Sequence, residues 1–367
     1  MKLIMTDRPV DLSFLKDEAV KYIDLSSLRI ANCVGCFGCW TKTPGKCVIR
    51  DDATWVYPCI AASNTVLYVS RLCYGGYDSV MKTMLERAIP VQQAFIRIYK
   101  GETHHVQRAV MPKKATILAY GDISSDEKDL FRKLVARNAA NMNFESYEVK
   151  VFNRSYVERC GKRNCRKMGK VLILNGSPRA PKSNSRRYAE IFSTACKLPS
   201  DYFNISKTNH AALCQKMSEY SDVLLVFPLY ADSLPVGLLN FLKYLEANSP
   251  KRKPVVSVLI NCGFLEYHQN DIALEMLRFF CQKNGYRTGS VLALGSGEAI
   301  LGTPFRYIAV RAIRKLAKSV GNGKYCNIQA TMPLNKRLFI WASTRYWIQY
   351  GKRFGITKEQ MQSMKIE

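Results

Sequence analysis

Short apolar runs bounded by polar turns recur along the chain and predict strands at 2–5, 23–25, 65–70, 115–120 and 147–152, then at 171–174, 223–227 and 255–261. The unbroken runs, such as VLIL at 171–174, fit strands buried on both faces of a parallel sheet. Between them, apolar residues at helical spacing predict helices at 79–88, 126–141, 186–195, 238–247 and 271–284. Strand–helix alternation of this kind is the α/β pattern, with helices on both faces of a parallel sheet. TVLYVSRLCY at 65–74 is echoed 156 residues later by SDVLLVFPLY at 221–230. Both are apolar strands running into a tyrosine, in Leu72-Cys73-Tyr74 and Pro228-Leu229-Tyr230, so the chain reads as two copies of one fold. The expected boundaries are a first domain at 1–152, a basic linker at 153–170, a second domain at 171–301 and a tail at 302–367.

Composition narrows the class. The 367 residues are 47% hydrophobic and 23% charged, as in globular proteins. No apolar run approaches a membrane span, and MKLIMTDRPVDL lacks a signal-peptide core, so a cytoplasmic protein is expected. The net charge of +26 favours anionic partners. No zinc-finger, RRM or helix-turn-helix signature accompanies it, which disfavours nucleic acid. The tail holds 13 Lys or Arg against 2 Asp or Glu, with aromatic residues interleaved. Such a segment can pack as a helix with a solvated basic face or lie on an anionic membrane surface. Thirteen cysteines in a cytoplasmic protein point to metal or redox use rather than disulfides.

Two segments carry candidate chemistry. After the strand at 171–174, residues 175–185 supply Gly176, Ser177, Arg179, Lys182, Ser183, Asn184 and Ser185 ahead of a helix. A strand, a small-residue loop and a helix start, with Ser183 or Asn184 as cap, can cradle phosphate on backbone N–H groups and the positive end of the helix dipole. The loop matches neither G-x-x-x-x-G-K-[ST] nor G-x-G-x-x-G, so a nucleoside triphosphate and a Rossmann dinucleotide are disfavoured. The second segment, ANCVGCFGCWTKTPGKCVIRDD, spaces Cys33, Cys36, Cys39 and Cys47 as C-x2-C-x2-C-x7-C, with a Pro44-Gly45 turn before the last. Four thiolates in so compact a loop can hold a [4Fe–4S] cluster; zinc and a metal-free loop remain open. His104 and His105 are expected as a solvated pair in a long loop, and Cys160 and Cys165 as spare thiols.

Gly176-Ser177-Pro178-Arg179, Ser183-Asn184-Ser185 and Pro228-Leu229-Tyr230 resemble the flavodoxin-like NADPH-dependent FMN reductase group. The resemblance implies two tandem flavodoxin-like doubly wound sheets plus a basic helical tail. It implies FMN phosphate on Ser177, Arg179, Ser183, Asn184 and Ser185. The isoalloxazine ring would lie along Pro228, Leu229 and Tyr230, under the loop Asn261-Cys262-Gly263. The cysteine loop resembles that of the iron–sulfur flavoprotein branch, which makes Cys33, Cys36, Cys39 and Cys47 the expected ligands. The first domain lacks the GSPR-type loop and has Leu72 where Pro is usual, which argues against a flavin there. The implied activity is transfer of electrons from NADPH or NADH through FMN to a small acceptor of quinone, nitro, azo or enone type, in a monomer or a homo-oligomer. The alternatives are a flavodoxin-like electron carrier for a protein partner, which the basic charge disfavours, and a cofactor-free scaffold.

Overall fold

Two parallel sheets organise the chain, each in its own unit. The computed structural model describes residues 1–11, 20–153 and 169–367. One unit is Met1–Tyr156 together with Asn335–Glu367; the other is Val157–Leu334. The expected linker, with Cys160 and Cys165, lies almost wholly outside the described residues.

The strands of the first unit are β1 (Lys2–Thr6), β2 (Val20–Asp24), β3 (Thr65–Cys73), β4 (Gly76–Tyr77), β5 (Gln92–Tyr99), β6 (Glu102–Gln107), β7 (Lys113–Gly121) and β8 (Phe144–Asn153). Its main sheet runs β2-β1-β3-β7-β8, all parallel. Counting only those five, the order is 2-1-3-4-5, that of flavodoxin-like folds. Its helices ahead of the second unit are, in chain order, α1 (Gly38–Thr41), α2 (Ala53–Ala62), α3 (Ser79–Arg87) and α4 (Ser125–Asn141). Ser124 caps α4 in a reciprocal capping box with Glu127.

The second unit contains β9 (Val171–Asn175), β10 (Ser200–Asn204), β11 (Asp222–Pro228), β12 (Val255–Asn261), β13 (Thr288–Leu294) and β14 (Asn327–Ala330). Its sheet runs β10-β9-β11-β12-β13-β14, all parallel: the same order with one strand added. The helices are α5 (Asn184–Ala195), α6 (His210–Met217), α7 (Val236–Ala247), α8 (Asp271–Lys283) and α9 (Arg306–Asn322), with α9 packed beside α5. The two echoing stretches of sequence become β3 and β11, which hold the same central place in their sheets.

Two expectations need correction. The tail at 302–367 is not one segment. Its first part forms α9 and β14 of the second unit, whereas α10 (Lys336–Lys352) and α11 (Lys358–Met361) belong to the first. The reason is apolar: Phe339, Trp347 and Met361 are buried, Trp347 and Met361 in one cluster with Cys39, Trp40 and Phe95. Burying each such side chain contributes about 1.5–3 kcal/mol. The outer face of α10 keeps Arg337, Leu338, Trp341 and Arg345 exposed. The histidine pair is likewise not in a solvated loop. β5 and β6 form an antiparallel hairpin turned by Lys100 and Gly101 at φ 50° and 83°. His104 is buried against Asn141, 3.0 Å from Nδ1 to Oδ1, and the His105 ring lies 4.6 Å from that of Trp40. Among the described residues no helix is long and apolar enough to cross a membrane.

Candidate functional site

At the carboxyl end of β9 the chain leaves the sheet where the strand order reverses, with β10 on one side and β11 on the other. Such a switch point is where open α/β sheets bind ligands. Asn175 fixes the start of the loop: its Oδ1 accepts from Ser177 N at 2.9 Å, and its Nδ2 donates to Ser183 Oγ at 3.2 Å and Tyr202 OH at 2.8 Å. Gly176 suits a close approach, because a Cβ there would sit 3.2 Å from Leu238 Cβ, a tight contact. Ser177 Oγ accepts from Arg179 N at 3.2 Å. Ser183 caps α5 by accepting from Arg186 N at 3.2 Å. In the first turn of α5 the N–H groups of Asn184 and Ser185 have no intrahelical acceptor and stand at the positive end of the helix dipole. The five expected phosphate residues are therefore gathered around one helix start.

A residue that the sequence reading missed stands in the same place. Arg179 Nη1 bonds Glu298 Oε1 and Oε2 at 3.0 and 3.2 Å, and Asn184 Nδ2 donates to the Glu298 carbonyl at 2.8 Å and to Oε2 at 3.3 Å. Burial pushes the Glu298 carboxyl up, against the pull of the Arg179 charge. Glu298 follows β13 in Gly295-Ser296-Gly297-Glu298. Ser296 there has φ 56°, and a Cβ on Gly297 would fall 2.6 Å from Asn261 Cβ. Two glycines just past a strand were the available signal.

The expected ring-binding loops differ in character. Pro228, Leu229 and Tyr230 are half-buried at the end of β11. A narrow turn follows, with Tyr230 N to Ser233 O at 3.1 Å and Ser233 N to Tyr230 O at 3.0 Å. Ala231 and Asp232 at its tip have φ 41° and 58°. Non-glycine residues in this region cost of order 1–3 kcal/mol each and cluster at ligand sites. Asn261 and Cys262, by contrast, are buried and bonded inside the fold: Asn261 Nδ2 donates to Phe227 O at 3.2 Å, and Cys262 Sγ to Glu266 O at 3.4 Å. From that loop only Gly263 is exposed.

In the first unit the corresponding strand end carries Asp7. Its Oδ2 accepts from Arg71 N at 2.6 Å and its Oδ1 from Tyr120 OH at 2.8 Å. The third strand also differs. Leu72 continues β3 into a hairpin with Tyr77, whereas Pro228 ends β11.

The cysteine loop lies under α10. Phe37 and Trp40 stack at 5.3 Å, and Trp40 meets Trp347 edge-on at 5.3 Å. Cys39 and Cys47 are buried, Cys33 half-buried and Cys36 exposed. Burial pushes the Cys33 thiol up to about 12, with Cys36 and Cys47 adding to it. Cys39 is raised by burial and then by Cys33, Cys47 and Cys36, so the four thiols lie within electrostatic reach of one another. Among the described residues, however, no group of three or more His, Cys, Asp or Glu side chains is placed to hold a metal ion. What holds the loop is Arg87 of α3. It donates to Asp51 at 2.6 and 2.8 Å, to Ala31 O at 2.8 Å, to Ile49 O at 3.3 Å and to Cys47 Sγ at 3.4 Å.

No family model matches the chain. The iron–sulfur flavoprotein of Archaeoglobus fulgidus is 34% identical over 71 residues, covering 19% of this chain and 31% of that relative; the chain thus matches less than a third of the relative's length. Among solved structures, an NAD(P)H:quinone oxidoreductase from Methanothermobacter marburgensis aligns over 42% of this chain and 96% of its own, at 14% identity and TM-score 0.35. An FMN-dependent NADH-azoreductase from Bacillus anthracis aligns over 42% and 100%, at 13% identity and TM-score 0.33.

Proposed function

We propose that this chain is an FMN-dependent NAD(P)H oxidoreductase that passes electrons to a small acceptor. The observation that carries the reading is the cradle at the switch point of the second sheet. There Ser177, Arg179, Ser183, Asn184 and Ser185 surround the start of α5, and Tyr230 stands at the end of the neighbouring β11. The cradle fits a phosphate monoester by its donor set: hydroxyls, a guanidinium and free first-turn N–H groups. Flavin, when bound, accepts hydride and hands electrons on; the protein's part is binding, orientation and exclusion of water. In that division Ser177, Ser183 and Ser185 hold phosphate with the first turn of α5, and the half-buried Pro228-Leu229-Tyr230 edge borders the ring.

In this reading the loop of Cys33, Cys36, Cys39 and Cys47 is the place for a [4Fe–4S] cluster. The donor chemistry is that of such a cluster, but among the described residues the thiols as placed do not form a ligating group.

The test is an ultraviolet–visible spectrum of anaerobically purified full-length protein, with FMN and iron counted per chain. The expected result is the twin bands of a flavin and one FMN, with NAD(P)H consumed when a quinone is added. A shoulder near 400 nm and about four irons would add the cluster. Protein that neither purifies with flavin nor binds added FMN overturns the proposal. Flavin that is reduced only through a protein partner favours the electron carrier.

A further inference from the structure

Glu298 is an acidic side chain inside a cradle otherwise built for an anion. Its carboxylate takes two bonds from Arg179 and one from the Asn184 amide, so the groups best suited to a phosphate already serve a carboxylate of the same chain. The contact is specific. Tyr188 OH donates to Gly297 O at 2.6 Å, and Asn184 also holds the Glu298 carbonyl, which fixes the backbone that presents the side chain. Arg187 is near enough to act on the Glu298 charge as well.

We propose that Glu298 is an internal competitor for the phosphate subsite and sets the preference between phosphorylated and unphosphorylated flavin. The inference rests on the FMN reading above. A phosphate dianion that engages Arg179 must share it with Glu298 or displace the carboxylate. Like charges in one partly dehydrated site oppose each other, and that opposition is charged to FMN alone. Riboflavin, which carries the same ring and no phosphate, is indifferent to it. Glu298 therefore narrows the gap in affinity between FMN and riboflavin, and its removal widens it.

The experiment measures dissociation constants of FMN and riboflavin by quenching of flavin fluorescence, using the full chain stripped of flavin. The proteins are wild type, Glu298→Gln and Glu298→Ala. Gln keeps an oxygen to accept from Arg179 and removes the charge; Ala removes both and guards against a Gln variant that misfolds. Circular dichroism confirms that each is folded. The expected result is FMN binding tightened roughly tenfold in Glu298→Gln, about 1.4 kcal/mol, with riboflavin changed less than about twofold. Inorganic phosphate should also raise the melting temperature of Glu298→Gln more than that of wild type. An unchanged FMN-to-riboflavin ratio in both variants overturns this inference and leaves the function standing. Weaker FMN binding overturns it too, because Glu298 would then be positioning Arg179 for the phosphate. Failure of the wild type to bind either flavin defeats the function and this inference together.

Discussion

Arg87 offers the sharpest test of how the first unit is held together. Its side chain is 1% exposed and that of Asp51 is 13% exposed, and the two meet in a bidentate pair at 2.6 and 2.8 Å. The same guanidinium bonds the carbonyls of Ala31 and Ile49, so one residue of α3 ties both ends of the cysteine loop. In Arg87→Ala those groups lose their donor and Asp51 keeps its charge. Breaking one side of a buried pair costs about 3–5 kcal/mol. Asp51 still accepts from Ala31 N at 2.8 Å and Ala53 N at 3.1 Å, which places the expected loss near the lower end. All four tryptophans, Trp40, Trp55, Trp341 and Trp347, belong to this unit, so their fluorescence in urea reports it selectively. With a slope of about 2 kcal/mol per molar urea, a loss of about 3 kcal/mol moves the midpoint down by about 1.5 M. Asp51→Asn with Arg87→Ala should lose less than the two single changes added together, because the second removes the charge the first left behind. The pH dependence has a definite sign. Burial alone would raise the Asp51 carboxyl, but the Arg87 hydrogen bonds and charge, with Ala31 N–H, hold it below its usual range. A carboxyl lowered in the folded state stabilises above its unfolded value of about 3.9, and that stability fades as pH falls through the folded value. The wild type should therefore lose this increment only below about pH 4, and Arg87→Ala should lack the share that Arg87 supplies. A cost under about 1 kcal/mol, the size of an exposed pair, or strict additivity of the two changes would refute the reasoning.

Other consequences are equally direct. Ser177→Ala with Arg179→Ala should release FMN, since it removes a hydroxyl and the cation of the cradle and leaves Glu298 without its ion-pair partner; full flavin stoichiometry after gel filtration would contradict it. Gly176→Val should lower stability by about 1–3 kcal/mol and weaken flavin binding, as its Cβ presses on Leu238; an unshifted melting curve would count against that packing. Burial lowers the His105 pKa to about 4 from its ordinary value of 6.5. The unfolded chain thus binds a proton that the folded one refuses, and the first unit should lose stability as pH falls from about 6.5 toward 4. His105→Gln should flatten that slope in tryptophan-monitored urea midpoints, and an identical slope in the variant would exclude His105 as its source.

The parts of the fold that were legible are those whose residues carry the signal alone. β9, β11 and β12 are buried on both faces and read as apolar runs, and Ser183 reads as a cap from its place before a helix. β10 and β14 lie at the sheet edges with mixed burial, so no run marks them. The β5–β6 hairpin turns at Lys100-Gly101, but β5 buries the consecutive residues Gln93 to Ile96 rather than alternate positions, so no period-2 pattern marks it. α10 looked like part of a continuous basic tail because charge does not say which sheet an apolar stripe will meet; Trp347 and Phe339 do. Glu298 could not be paired with Arg179 from spacing, since 119 residues separate them and only the fold brings the loop after β13 to the start of α5. Arg87 and Asp51, 36 residues apart, pose the same problem.

The two switch points differ in the carboxylate that a phosphate would meet there. In the first unit Asp7 comes directly after the strand, and its carboxylate is spent on Arg71 N–H and Tyr120 OH. The Arg8 guanidinium lies over the Tyr120 ring, 3.9 Å from its centroid, rather than on the carboxylate. Moving Asp7 aside would strand a backbone donor and a half-buried phenol, at about 1–3 kcal/mol for each donor left without a partner. A phosphate there meets a fixed negative charge. In the second unit the equivalent position is Gly176, and the nearby carboxylate comes from a different loop on a longer side chain. Glu298 can turn away while Tyr188 and Asn184 keep its backbone in place. The partner it abandons, Arg179, is the cation a phosphate would take up. The difference between a blocked site and a competed one is thus whether the acidic group is fastened to the backbone or only to Arg179 and Asn184, the side chains the ligand needs.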